Sequence, residues 1–136
     1  MKKIFAIIMS VAIILSITIT AFADSISTYS NNVGSTATSF TISSKGKATV
    51  SNNFAGISGV TKSATITTKV QKKIGVIWVT VNNGNWTDTS TATNYSKSHS
   101  VQLSSTGTYR AHVVFTISGT GGSDDKITKN VEKEYG

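Results

Sequence analysis

Beyond residue 36 apolar and polar residues alternate with a period of two along almost the whole chain, and no 3.6-residue period survives outside the first 23 residues. Such alternation marks strands that bury one face. Residues 38–43 (TSFTIS) set Phe40 and Ile42 on one side; after an SSKG turn, residues 47–54 (KATVSNNF) hold Ala48, Val50 and Phe54 in phase. A glycine-bearing loop leads to residues 63–74, with Ala64, Ile66, Thr68 and Val70 on one face and Thr65, Thr67, Lys69, Gln71 and Lys73 on the other. Residues 76–81 (VIWVTV) are apolar on both faces, which predicts a central strand covered on both sides or one left partly exposed. The NNGN that follows reads as a turn. A weaker segment from Trp86 leads into residues 92–103, and residues 108–118 and 126–135 close the series after SSTG and GTGGSDD. Seven short strands with regular turn signals predict an all-β fold, a single antiparallel β-sandwich of immunoglobulin/fibronectin-like kind over residues 37–136.

The clearest strand is residues 108–118 (TYRAHVVFTIS). Its odd positions, Tyr109, Ala111, Val113, Phe115 and Ile117, form a continuous apolar face, so Arg110 and His112 should face water. A tyrosine opening this strand, just after a glycine turn, fits the tyrosine corner of immunoglobulin-like sandwiches, where the ring packs inward and the hydroxyl reaches an upstream backbone group. Tyr109, Phe115 and Trp78 are therefore expected as structural core residues. Trp86, in the polar stretch NNGNWTD, is the one candidate ligand-binding residue. Near a loop its indole can stack on sugars or anchor a partner; it can equally fold over the end of the sandwich as a plug.

The N-terminal segment changes the picture of where the chain works. Lys2 and Lys3, an apolar run from Ile4 to Leu15 and the Ala21-Phe22-Ala23 signal predict a secretory signal peptide over residues 1–23 that is cleaved. Ser16, Thr18 and Thr20 break the run and no basic stop-transfer cluster follows, which argues against a transmembrane anchor. Residues 24–36 are polar and expected to be a flexible N-terminal arm. There is no cysteine, hence no lipoprotein anchor, disulfide or thiolate metal site, and no proline, hence no LPxTG-type wall anchor. The mature chain should be extracellular, released or loosely associated with the cell envelope by non-covalent contacts. Without Lys2 and Lys3, eleven basic residues stand against six acidic ones. That excess favours anionic walls, membranes or nucleic acid in a diffuse way, with no signal for specific nucleic-acid binding, and it equally serves to keep wet strand faces soluble.

Candidate chemistry is sparse. His99 and His112 raise a metal or pH-switch idea, but pairing them across a hairpin would set Val101 against Arg110 and Leu103 against Thr108, mixing core and solvent faces. In an immunoglobulin-like path the two strands lie in different sheets, and two histidines alone leave zinc short of ligands. Asp24, Asp88, Asp124, Asp125, Glu132 and Glu134 show no facing acid/base pair. No G-x-S-x-G nominates a serine, and GTGGSDD has too few ligands for a calcium loop, reading instead as a flexible hairpin loop. Glu132 and Glu134, with Lys129 and Lys133, fit an edge strand whose charges discourage strand addition. No enzyme activity, cofactor or metal is expected.

Gly46-Ala48-Val50, Gln71-Lys72-Lys73 with Trp78, and Gly107-Tyr109-Arg110 together make the chain resemble a group of small secreted β-sandwich proteins of Gram-positive bacteria. The resemblance implies the fold and the address, and no catalytic residues. The leading expectation is a secreted, non-catalytic β-sandwich module that binds or coats at the cell envelope, its partner a cell-wall polymer, a glycan or a secreted protein. The alternative is a bacteriocin-like antagonist of neighbouring cells, weakened because the lysines are spread along strands and not gathered beside an amphipathic helix. The VIWVTV run also leaves self-association through a strand edge open.

Overall fold

A computed structural model describes residues 30–136. The expected signal peptide, 1–23, and residues 24–29 of the expected arm lie outside the described residues. Seven antiparallel strands fold as a sandwich of two sheets: β1 (Val33–Ile42), β2 (Lys47–Gly56), β3 (Thr61–Ile74), β4 (Ile77–Ser90), β5 (Asn94–Gln102), β6 (Gly107–Gly119) and β7 (Asp125–Tyr135). One sheet has the order β1-β2-β5 and the other β4-β3-β6-β7. In the constant-type immunoglobulin arrangement the fourth strand lies beside the fifth; here β4 stays beside β3, to which a two-residue turn ties it. No helix among the described residues is long and apolar enough to cross a membrane.

The core follows the period-two pattern. Phe40, Ala48, Val50 and Phe54 from one sheet meet Ala64, Ile66, Val70, Ala111, Val113, Phe115 and Ile117 from the other, all buried. A polar thread crosses this layer. The Thr38 hydroxyl donates to Asn52 Oδ1 at 2.8 Å, and Asn52 Nδ2 donates to Thr68 Oγ1 at 2.8 Å. Asn52 is in phase with Val50 and Phe54 and so must point inward; its two hydroxyl partners satisfy an amide that would otherwise lose its water.

Residues 33–36, expected as part of the arm over residues 24–36, belong instead to β1, which begins at Val33. The physical reason is a polar clasp. Asp125, at the start of β7, accepts the backbone N–H groups of Asn31 at 2.8 Å, Asn32 at 2.7 Å and Val33 at 3.1 Å. Fully buried Asn32 answers from the other side, with Nδ2 donating to the Ser123 carbonyl at 2.9 Å and Oδ1 accepting the Gly121 N–H at 2.9 Å, while the Thr61 hydroxyl donates to its carbonyl. The GTGGSDD loop, expected to be a flexible hairpin loop, is thereby tied to the start of β1.

The fourth strand departs most from expectation. Residues 76–81 do not make a central strand. They begin an edge strand, and NNGN is not a reversal but a bulge inside it. Lys69 pairs with Asn85 and Gln71 with Thr80, so residues 81–84 stand opposite Val70 alone. Asn83 takes φ 60° there, and a Cβ on buried Gly84 would meet Val81 Cγ2 at 2.5 Å. Because the bulge inserts an odd number of extra residues, it flips the facing of everything before it. Trp78 and Trp86, eight residues apart, consequently lie on opposite faces of the sheet.

Candidate functional site

The sheet edges β4 and β5 run along the same flank of the sandwich, and the chemistry-bearing side chains gather there. One half of this seam is closed. Trp86, placed inward by its pairing with Thr68, stacks its indole on the His99 imidazole at 4.8 Å between centroids and 9° between planes. His99 Nε2 donates to Asp88 Oδ2 at 2.6 Å, and Lys97 Nζ donates to Asp88 Oδ1 at 2.9 Å. Tyr95 completes the cluster, stacked on Phe54 at 5.5 Å. Its buried hydroxyl lies close enough to Asp88 to feel the charge without making a well-formed hydrogen bond. Burial, followed by the Asp88 carboxylate, pushes the Tyr95 phenol up to about 12.

Burial by itself would raise the Asp88 carboxyl, but the hydrogen bonds and charges of Lys97 and His99 outweigh it and hold the group below the ordinary aspartate value. A group with a depressed folded value contributes stability that is complete above the unfolded value and lost as pH falls through the folded one. Melting temperature should therefore hold steady from neutral pH down to about pH 5 and decline below about pH 4. Asp88→Asn should flatten part of that decline, while lowering stability at pH 7 by about 1 kcal/mol because Lys97 is half exposed and its pairing is screened. Melts of both proteins across this pH range check the expectation; a variant declining as steeply as the parent would contradict it.

The other half of the seam is open. A cleft of about 620 Å³ lies between the β3–β4 hairpin and the end of β5, with Val79, Val81, Val101, Leu103 and Tyr109 among its apolar walls and Lys72 as its one charged residue. Tyr109 reaches it from the core. The ring is 1% exposed, and its hydroxyl donates to the Ser105 carbonyl at 2.5 Å, four residues upstream. Along the same hairpin, Ile74, Val76, Ile77 and Val79 are 50%, 94%, 58% and 45% exposed; only Ile57 joins them as an exposed large hydrophobic among the described residues.

Trp78, expected in the core, lies half buried on the outer face of the four-stranded sheet, paired with Lys73. The bulge is the reason. Its ring carries the Arg110 guanidinium at 4.5 Å, and Arg110 Nε donates to Gln71 Oε1 at 2.8 Å, fixing the cation over the indole. Trp86, the ligand-binding candidate, is instead half buried against the core and His99. Phe115 is fully buried on β6. His99 and His112 sit in different sheets, and His112 Nδ1 is 2.7 Å from Asn130 Oδ1. Among the described residues no three His, Asp or Glu side chains cluster as metal ligands.

The arrangement offers hydrophobic contact, a fixed cation on an indole and a mixed polar cleft. No family model, curated protein or solved structure matches the chain.

Proposed function

We propose that the chain is a small secreted, non-catalytic β-sandwich module that acts by binding at the cell envelope, with the β3–β4 hairpin and its adjoining cleft as the contact surface. The signal-peptide pattern and the basic excess support the address. One observation carries the binding role: four of the five exposed large hydrophobics among the described residues fall within six positions, 74–79. Scattered exposed apolar residues need no explanation, whereas a contiguous group on one hairpin marks a contact surface. Trp78 replaces Trp86 as the aromatic anchor of this reading, since Trp86 is occupied by His99.

Co-sedimentation of the purified chain with washed cell envelopes, at low and high salt, tests the proposal. Binding that persists at high salt and is weakened by Trp78→Ala is the expected result. Binding that vanishes with salt would reduce the interaction to diffuse charge attraction, and absence of binding at low salt would overturn the reading.

A further inference from the structure

We propose that the end of the sandwich bearing the β3–β4 turn docks on an anionic lipid bilayer, with Val76 and its neighbours entering the interface while surrounding cations meet lipid phosphates. The inference rests on the envelope-binding reading and names its ligand class.

The turn itself is the first argument. Ile74 pairs with Ile77 across a two-residue loop, Gly75-Val76, and Gly75 at φ 63° occupies the position where this turn needs a glycine. Hairpin loops facing water are otherwise built from Asn, Asp, Gly and Ser. Here the second loop residue is a valine at 94% exposure, flanked by two half-exposed isoleucines and followed by Trp78. An apolar tip with an indole just behind it matches the depth profile of a bilayer, hydrocarbon first and headgroup region next.

Charge is the second argument. The turns at this end are neighbours: Leu103 donates its N–H to the Gly46 carbonyl at 2.8 Å, Gln102 Nε2 donates to the Lys45 carbonyl at 2.7 Å, and the Tyr135 ring lies against Gly46. Lys72 Nζ reaches Ser105 in the β5–β6 turn at 2.7 Å, so Lys45, Lys47, Lys72, Lys73, Arg110 and Lys133 lie toward the same end of the sandwich as the tip, against Glu132 and Glu134. The opposite end of the sandwich, where β6 joins β7, is balanced, with Lys62 and Lys126 beside Asp124 and the buried Asp125. That asymmetry would turn the cationic end toward a negative surface before contact, and lysine stems can lie along the interface while their ammonium groups stay at the phosphates.

A second copy of the chain is the competing occupant. Strand addition along β4 would cover Ile77 and Val79, but Val76 sits in the turn, outside any ladder, and would stay in water. Pairing two copies there would also bring two basic ends together. The bilayer accounts for the tip as well as the strand.

The test uses the chain from Asp24 onward, which keeps every described residue, with vesicles of phosphatidylcholine alone and vesicles containing about 30% phosphatidylglycerol. Pelleting with the anionic vesicles only is expected, with partitioning about tenfold weaker for Val76→Asp. Since Val76 is almost fully exposed, that variant should melt with the parent. With Trp86→Phe leaving Trp78 as the sole indole, emission should shift to the blue on anionic vesicles. Equal binding by parent and Val76→Asp would overturn tip insertion, leaving surface charge alone. Concentration-dependent dimerisation abolished by Val79→Lys, without vesicle binding, would assign the surface to a second copy. Retention on lipid-free walls unaffected by Val76→Asp would overturn the lipid proposal and leave the envelope reading standing.

Discussion

Replacing Asp125 with alanine is expected to lower stability by about 4 kcal/mol, among the largest effects a single substitution can have in this chain. The carboxylate accepts three backbone N–H groups, from Asn31, Asn32 and Val33, and the residue is 6% exposed. An alanine leaves those donors pointing into a space that water enters poorly, and each unsatisfied buried donor costs about 1–3 kcal/mol. Melting temperature should fall by roughly 15–25 °C for a domain of this size. Asp125→Asn keeps one oxygen and the side-chain volume and should recover about half of the loss. Asp124→Ala, one residue earlier on the exposed side of the loop, should stay within about 0.5 kcal/mol of the parent. Thermal and urea melts of the three variants decide the matter: similar losses at 124 and 125 would mean that the clasp contributes nothing specific.

That clasp also shows where reading the chain by pattern stops. Period-two alternation correctly set the inward faces of β2, β3 and β6, because a half-buried strand writes its facing into every second residue. The charges of Glu132 and Glu134 point to an edge strand, and β7 is an edge strand. Alternation has no means of announcing that Asn32 meets a loop 91 residues later, or that Asp125 caps the start of β1. Both residues look like ordinary loop polars. Asn52 was readable as inward from its phase, yet its acceptability inside depends on Thr38 and Thr68, which neighbouring strands supply. The Asp88–His99 contact links residues that no spacing rule joins, since it forms across the seam between sheets.

The two tryptophans exchanged roles for a single reason. An unbroken β4 would have put Trp78 and Trp86 on one face, and the apolar run at 76–81 then argued for burial. The bulge at 81–84, marked in the sequence only by NNGN, preserves pairing with β3 on both sides while reversing the facing. NNGN marks a departure from regular strand, as its residue types imply, but the chain does not reverse there. A turn and a bulge share the same residue types, because both need backbone conformations that Asn and Gly tolerate; only the pairing partner distinguishes them.

Tyr109→Ala is expected to cost about 4 kcal/mol, as a large-to-small change at a fully enclosed site. The ring is buried where the core meets the cleft, and its hydroxyl holds the Ser105 carbonyl at 2.5 Å. Truncation thus removes packing and releases the β5–β6 turn that forms one wall of the cleft. Tyr109→Phe separates the two contributions: the ring stays, the tether goes, and the loss should be about 1 kcal/mol. The adjacent position gives the opposite expectation. Arg110 lies on the outer face, bonded to Gln71 and stacked on Trp78, so Arg110→Ala should cost at most about 1 kcal/mol while freeing the indole to move. Denaturation of the three variants, read beside their binding to envelopes, gives four outcomes to compare. Equal destabilisation at 109 and 110 would contradict the facing of β6. A stable Arg110→Ala that binds less well would tie the guanidinium–indole pair to the contact surface. A Tyr109→Phe with near-parental stability but weakened binding would tie the cleft wall to it. Parental binding by both stable variants would confine the contact to the apolar tip, whose residues neither substitution touches.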